Sequence, residues 1–380
     1  MDEARMSTVK ADVNILTFFF KMGKFFGVVP LHNKKSSRLK TIISLSYFAI
    51  LSLLLSAIFI VSVWDRHKMY DSMKVTNIIV DVLVMITNFC FILTIRLGNL
   101  INNRYFDKIM ESFRKIDACL DQSNFTICRM RVFKIYFFIV GFHVLYLGMH
   151  AYELYYRIVN HQTSFLIWVL YIPGFLKIHH QLFVVTLVAK MNTMLHTRYQ
   201  FVIHCLGLNI DKENLNLELL ELNKKSLTLD QIYYVFKKLY DLVSDMNVLF
   251  NWQIFFVLTC TVLEILNVIN FMKQDQAWSV LAVDIAYGAL YTISTLAIIK
   301  SCNDVQMLGE KVYVCCYTSQ ETLGGSKFEN ELLKFAKLIK PLLPQYTAGG
   351  FVTVNQRILS SLFSATLTYL IVIIQFDLST

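Results

Sequence analysis

The last apolar stretch of the chain carries polar side chains at regular spacing. Counted at 100° per residue, they all fall within about 40° of the last of them, Gln375, on a helical wheel. This polar stripe consists of Arg357, Ser361, Ser364, Thr368 and Gln375. Ile371 and Val372 interrupt it near its outer end. Hydroxyl and amide groups in such a row suit two purposes, hydrogen bonding in a tight contact between membrane helices or hydration of ions along a pore.

A pore built from this stripe needs several copies of the helix, since one helix cannot enclose water and identical chains usually assemble with rotational symmetry. In that arrangement a ring of Val372 closes the path by dewetting, and a ring of Gln375 forms an uncharged polar constriction. Asp377 and the carboxylate of Thr380 concentrate cations at the outer mouth. Arg357 would repel cations, so we expect the helices to separate at that end.

A second set of polar and aromatic residues lies in the outer halves of five apolar stretches. Its members are Asp81, His150, Glu153, Trp168, Tyr171, Glu264, Asn267, Asp284, Tyr287 and Tyr291. Individually they could pair within one helix, as His150 with Glu153. A carboxylate at mid-bilayer costs about 2.5–3.5 kcal/mol, which favours a protein-lined cavity. Together they predict an outward-opening pocket for a small polyhydroxylated or amine-bearing molecule.

Other candidate chemistry is weaker. Lys177, His179 and His180 lie deeper in one stretch and are typical of a structural network, because no further metal ligand occurs at suitable spacing. The chain contains no nucleophile elbow, phosphate-binding loop or zinc-binding helix motif. We therefore expect a protein without enzymatic activity and without a cofactor.

The composition is that of an all-α membrane protein. The 380 residues are 56% hydrophobic and 14% aromatic, and only 17% are charged. A bilayer core requires about 20 apolar residues per helical span, and the pattern lacks the two-residue alternation of membrane strands. The sequence predicts seven transmembrane helices at about 41–63, 76–97, 132–155, 164–188, 249–271, 279–299 and 354–376.

The distribution of lysine and arginine predicts the orientation. These residues concentrate in the N-terminal segment and in the second, fourth and sixth connections, which places the N-terminus inside and the C-terminus outside. The net charge of +9 then describes a cytoplasmic face against anionic membrane lipid, with no nucleic-acid partner. The sequon at Asn124 falls in a cytoplasmic loop in this topology. The cysteines form no C-x-x-C motif and are typical of packing residues.

The predicted organisation is a cytoplasmic segment over 1–40 and one seven-helix domain over 41–380. The run from Ile15 to Phe20 is too short for a signal peptide and suits an interfacial helix. Amphipathic patterns cover 98–120, 189–206, 229–248 and 326–340. They either extend the spans into one cytoplasmic anchor bundle or form an oligomerisation surface. Pro173–Gly174 predicts a kink in the fourth span.

A split precedes the last span, because Pro341, Pro344 and Gly349–Gly350 end an amphipathic helix and form a joint.

The end of the chain resembles a known family. Thr368–Tyr369, five apolar residues and Gln375–Phe376 match the T-Y-hydrophobic-Q-F motif of insect gustatory receptors, and Tyr233–Phe250 is similar to the family's helix before the fifth span. The resemblance implies a ligand-gated, non-selective cation channel, a homo- or hetero-tetramer with related receptors in the plasma membrane of chemosensory neurons. It also implies a cytoplasmic anchor domain, a central pore lined by the last helix and a tastant pocket in the outer half of spans two to six.

One difference from the sugar receptors of this family indicates the branch to which the chain is most similar. Sugar receptors carry an acidic residue directly after Thr-Tyr, where this chain has Leu370. The resemblance therefore favours the bitter-type and fructose-type branches, which mediate avoidance or acceptance. The carboxylates of the outer polar set suit amine-bearing compounds and favour the bitter type, and fructose is the other possibility.

Two other classes fit less well. A seven-helix G-protein-coupled receptor is disfavoured by the inside N-terminus and by the absence of Asp-Arg-Tyr after the third span and Asn-Pro-x-x-Tyr in the seventh. A secondary transporter is disfavoured because the chain has no two related halves.

Overall fold

The computed structural model describes residues 16–21, 23–24, 38–70, 75–121, 165–206, 228–271, 278–323 and 327–379, with isolated positions between 141 and 155 and the backbone alone for 165–177. Outside one short hairpin, this part of the chain is almost entirely helical. Its main helices are α1 (Arg38–Tyr70), α2 (Val75–Ile101), α3 (Asn103–Asp121), α4 (Phe165–Cys205), α5 (Leu229–Phe271), α6 (Trp278–Leu323), α7 (Lys327–Ile339) and α8 (Arg357–Ser379).

Several of these helices are long and apolar enough to cross a membrane. Three segments of the described chain meet that criterion: Ile78–Ile101 in α2, Leu229–Ile269 in α5 and Ile285–Thr318 in α6. Shorter apolar stretches occupy α1 and α8. The protein is therefore a multi-pass membrane protein. The predicted third span, 132–155, lies outside the described residues apart from isolated positions, and the count of seven spans and their orientation stay predictions.

The helices that contain the fourth, fifth and sixth predicted spans are longer than a bilayer crossing requires. The helices α4, α5 and α6 contain 41, 43 and 46 residues. At 1.5 Å per residue, α6 is about 69 Å long, more than twice the bilayer core of about 30 Å. The amphipathic segments 189–206 and 229–248 are thus direct continuations of spans, as the single-bundle interpretation predicted. The helix α4 continues without interruption through Pro173–Gly174, and the kink there stays a prediction.

The segment 98–120 is arranged differently, because a turn at Asn102 separates α2 from α3. The Asn102 amide donates to the Gly98 carbonyl at 2.9 Å, and the Tyr105 amide donates to the Asn102 carbonyl at 2.9 Å. The amphipathic face of α3 can therefore take its own direction against α5.

The extended ends of the helices pack together into what we call the helical base: α3, α7, and residues 183–205, 229–258 and 298–316 of α4, α5 and α6. One continuous hydrophobic cluster fills it. In α5 the buried residues recur every three or four positions: Ile232, Val235, Phe236, Leu239, Leu242 and Val243. Burying one such side chain contributes about 1.5–3 kcal/mol. The amphipathic pattern of the sequence is thus explained by packing within one chain.

A buried ion pair joins α3 to α4 inside the base. Nε of Arg198 donates to Oδ1 of Asp117 at 2.8 Å, and Nη2 donates to Oδ2 at 2.8 Å. Nη1 donates to the Met194 carbonyl at 2.7 Å, and the guanidinium lies over the Phe113 ring at 5.0 Å. This planar, two-point geometry satisfies charges that would otherwise be costly to bury. A second pair, Lys108 with Asp245 at 2.6 Å, joins α3 to α5.

The N-terminal apolar run differs from its predicted interfacial position. Residues 16–21 are helical, but Leu16, Phe19 and Phe20 are buried in the protein core. The Phe20 ring meets that of Phe106 edge to face, with centroids 5.2 Å apart. The expectation of a lipid-facing run was wrong because the amphipathic face of α3 provides a protein surface for it.

The predicted split before the last helix is confirmed. The helix α7 ends at Ile339, and a 3-10 turn over Lys340–Leu342 contains Pro341. Two short antiparallel strands follow, β1 (Thr347–Ala348) and β2 (Val352–Thr353). Gly349 and Gly350 connect them with φ of 63° and 83°, a conformation that glycine adopts without strain. The helix α8 then begins at Arg357.

Candidate pore helix and outer ligand site

Among the described residues, the packing of α8 is concentrated on one side of the helix. The helix contacts α5 and α2. Its buried and half-buried positions include Ile358, Leu362, Thr366 and Leu370, four residues apart on one face. This periodic burial fixes how α8 is rotated about its axis.

The polar stripe lies on the opposite side of α8, about 150° from the packed face on a helical wheel. Ser361, Ser364, Thr368 and Gln375 are all exposed. The Thr368 hydroxyl donates to the Ser364 carbonyl at 2.9 Å, so its oxygen still offers lone pairs outward. The stripe residues predicted from the sequence therefore share one surface that faces away from the described helices packed against α8.

The stripe forms one wall of an open groove. The lining residues all come from α8 itself: Ser360, Ser361, Ser364, Ala365, Thr368, Tyr369 and Val372. No other helix of the described chain lines this groove. Such a surface encloses a path only when further copies of the helix, or another partner, complete it.

Large apolar side chains on α8 are exposed beside the polar ones. Phe363 is 69% exposed and Tyr369 58%. At the proposed gate, Ile371 is 47% exposed and Val372 39%. Apolar exposure on this scale is typical of a surface that meets lipid or another protein.

The outer polar set is partly described. Asp81 on α2 is 8% exposed, next to Val80 and Val84, which pack against Leu266 of α5. Tyr291 on α6 is buried, whereas Glu264 and Asn267 on α5 are half-buried.

The remaining described member of the set is Tyr287, which packs on Leu182 and Leu290 where α4 meets α6. Because α2, α4, α5 and α6 contact one another pairwise in several combinations, the described members lie on neighbouring helices.

The rest of the predicted pocket lies outside the described side chains. His150 and Glu153 fall outside the described residues altogether. Trp168, Tyr171 and Asp284 lie on the helical backbones of α4 and α6, without described side chains. The pocket as a whole therefore stays a prediction.

The deeper histidines are interior residues. His179 and His180 are both buried on α4, with their rings edge to face at 6.2 Å. Among the residues that the structure describes, no three histidine, cysteine or acidic residues are grouped as a metal site would require. The described cysteines are free thiols.

The sequence reasoning missed the residues that hold the joint, which we define as residues 343–356 between α7 and α8. Side-chain amides of α5 and α6 bond its backbone: Nδ2 of Asn247 donates to the Gln345 carbonyl at 2.6 Å, and Nε2 of Gln306 donates to the Val354 carbonyl at 2.7 Å. Their partners lie 98 and 48 residues away in the sequence. No local pattern signals such contacts.

Close packing also holds the joint against α6. A side chain carbon added at Gly309 would overlap the ring of Pro344. Glycine at this point of α6 therefore permits the joint to lie directly on the helix backbone.

Comparison with known proteins gives the family of this chain. The family described as 7tm Chemosensory receptor matches residues 16–380. The chain belongs to this family, which is a family of receptors and not of enzymes. No curated protein sequence matches it significantly.

The fold is that of a solved insect receptor. The chain is similar to the insect olfactory receptor OR5 from Machilis hrabei, with a TM-score of 0.66, 13% identity, and coverage of 96% of this chain and 98% of that chain. The OR5 complex with eugenol gives a TM-score of 0.65 at 13% identity, covering 96% of this chain and 100% of that chain. At this identity the similarity establishes the fold, and it agrees with the resemblance to insect chemoreceptors that the C-terminal motif indicated.

Proposed function

We propose that this protein is a ligand-gated, non-selective cation channel in which α8 lines a central pore. The observation that carries the proposal is the exposure of the polar stripe on the side of α8 that faces away from its own chain. A row of hydroxyl and amide groups in a membrane helix needs a polar environment, and a water-filled path between symmetric copies provides one. The assembly that we propose is a tetramer, as a homomer or with related receptors.

The gate and the selectivity constriction lie at the outer end of this pore. Val372 and Ile371 supply the exposed apolar side chains that stop water when the pore is narrow. The exposed amide of Gln375 lies about one turn further out and hydrates passing ions without charge. Thr368 and Ser364 line the path below the gate.

The stimulus that we propose is a small taste compound, and the location is the plasma membrane of chemosensory neurons. Support comes from the Thr368–Tyr369 to Gln375–Phe376 motif and from family membership. Leu370 in place of an acidic residue favours a bitter-type over a sugar-type receptor, with a fructose-type receptor as the second possibility. The ligand site comprises the outer polar set, including Asp81, Glu264 and Tyr287.

Whole-cell recording tests the channel directly. We expect cells that express the protein to pass cation current when exposed to members of a panel containing quinine and fructose, and to keep this current when G-protein signalling is blocked. Gln375→Glu adds a ring of charge and should shift the reversal potential toward greater calcium permeability. Val372→Ser should raise the current without ligand.

Two threonines supply a matched control. Thr366 and Thr368 make the same bond to the carbonyl four residues earlier, at 2.8 and 2.9 Å, but lie on different faces of α8. Thr368→Val should lower the single-channel conductance, whereas Thr366→Val should leave it unchanged. Current that disappears with the G-protein block, or equal effects of the two valines, would contradict the proposal.

A further inference from the structure

We infer that the joint is a clamp that fixes the first turn of α8 to the helical base, with Asn247 and Gln306 as positioning residues for the pore helix. The inference rests on the proposed function, because it assigns to these residues a role in setting the gate. Two further residues, Asn192 and Tyr346, complete the clamp. The joint thereby bonds to all three of the long helices.

Asn247 uses both ends of its amide on the joint. Its Nδ2 donates to the Gln345 carbonyl, and its Oδ1 accepts from the Thr347 amide at 3.2 Å. One helical turn further along α5, the Asn251 carbonyl accepts a hydrogen bond from the Gly349 amide at 2.9 Å. Only a primary amide offers a neutral donor and an acceptor at this spacing. The first strand of the hairpin is therefore paired with α5 much as it would be with another strand.

The residues that follow the second strand are held by α6. Gln306 is buried and donates to the Val354 carbonyl, and Oδ1 of Asn303 accepts from the Gln356 amide at 3.3 Å. Because Gln356 directly precedes α8, this contact is made at the helix's own beginning. The hairpin is thus bonded to α5 through its first strand and its turn, and the segment between the hairpin and α8 is bonded to α6.

Tyr346 anchors the centre of the joint. Its side chain is buried, and its hydroxyl donates to Oδ1 of Asn192 on α4 at 2.6 Å. Nδ2 of Asn192 in turn donates to Oγ of Ser301 on α6 at 3.1 Å. Burial raises the pKa of Tyr346 far above its usual range. The phenol therefore stays protonated and keeps its donor role.

The exposure of α8 changes along its length. Ile358, in the first turn, is buried, whereas Ile371, Val372 and Ile374 in the outer half are exposed. Val372 lies 14 residues beyond Ile358, about 21 Å along the axis. A tilt of about 5° at the clamp then moves the gate by about 2 Å. Because the first turn is fixed, α8 moves by pivoting about that turn. A small change in tilt at the clamp therefore displaces the gate residues.

Hydrogen exchange tests the clamp without requiring channel activity. In the full-length protein, Asn247→Ala removes the acceptor of the Thr347 amide. We expect exchange across 345–349 to become about fivefold faster, corresponding to the loss of about 1 kcal/mol. Ser244→Ala, an exposed change on the same helix, should leave it unchanged. Equal exchange in Asn247→Ala and Ser244→Ala overturns the clamp.

Recording then tests the positioning role. Asn247→Ala and Gln306→Leu should each raise the ligand-free conductance about fivefold while leaving the reversal potential unchanged, because neither residue lines the pore. Asn247→Asp keeps the acceptor and loses the donor, so it should restore part of the wild-type closure. An unchanged conductance in variants with faster exchange overturns the inference while the channel stands.

Different results would overturn the proposed function and this inference. If the wild-type protein passes no current under any ligand of the panel, the channel proposal is wrong, and the exchange experiment still decides whether the clamp exists. If Gln306→Leu fails to reach the membrane, Asn247→Asp carries the same comparison, since Asn247 is only half-buried.

Discussion

The helical base and α8 differ in the exposure of their polar side chains. In the base, several polar side chains are buried in partnerships, as Arg198 with Asp117 and Asn192 with Tyr346 of the joint. On α8, Ser361, Ser364 and Thr368 remain at the surface of the chain. Groups satisfied within one chain contribute to its fold, whereas groups on the outward face of a membrane helix need water or another chain. The difference separates residues that determine stability from residues that are free to serve conduction.

The largest effect should come from the buried ion pair. Arg198→Ala leaves the Asp117 carboxylate uncompensated inside the base, which costs about 3–5 kcal/mol. We expect a strong drop in the thermal unfolding midpoint, measured by fluorescence-detected size-exclusion chromatography in detergent. Lys115→Ala is the matched control, because it breaks an exposed pair with Glu111 of 2.7 Å that is worth less than about 1 kcal/mol. Equal losses in the two variants would show that burial does not set the strength of these pairs.

An intermediate effect is expected where the joint meets α6. Gly309→Ala places a methyl group on the ring of Pro344, and overpacking of this kind costs about 1–3 kcal/mol. Gly98→Ala on α2 is the control, since a carbon added there meets nothing within 4 Å. Replacing glycine inside a helix then raises stability by about 0.5–1 kcal/mol. The unfolding midpoints should move in opposite directions, and a shared direction would contradict the close approach.

The smallest effect should occur on the stripe itself. Ser364→Ala changes an exposed side chain and should alter the free energy of unfolding by less than about 0.5 kcal/mol. Ser301→Ala in the base removes a hydroxyl that accepts from Asn192 at 3.1 Å and should cost about 1 kcal/mol. A conduction change in Ser364→Ala without a stability change would support the assignment of stability to the base and of conduction to the stripe. A larger destabilisation by Ser364→Ala than by Ser301→Ala would contradict that assignment.

Local patterns were enough for much of the fold. The outer ends of α4, α5 and α6 fall close to the predicted spans, because loss of apolar character marks them clearly. Pro341 and the glycine pair located the split before α8, since both act through backbone conformation. The rotation of α8 also followed from helical periodicity, which placed Thr368 and Ser364 on one face.

Contacts between distant segments could not be predicted in the same way. Arg198 and Asp117 are 81 residues apart, and nothing near either residue indicates its partner. The run containing Leu16 and Phe20 was assigned to a lipid surface because a short apolar run fits lipid and protein equally well. The sequence pattern around Asn247 indicates only a polar position on an amphipathic helix. In each case the deciding contact is made by a segment distant in the sequence.

The buried N-terminal run has a practical consequence for handling the receptor. Leu16, Phe19 and Phe20 are buried in the same hydrophobic cluster as residues of α3, and the Phe20 ring contacts that of Phe106. A fluorescent protein or affinity tag fused directly before residue 16 would compete for that space, whereas a flexible spacer keeps the tag clear of it. Removal of the run would uncover aromatic surface, which cellular quality control and detergent micelles both recognise. Trafficking yield should therefore depend on a stretch of sequence far from any ligand or ion.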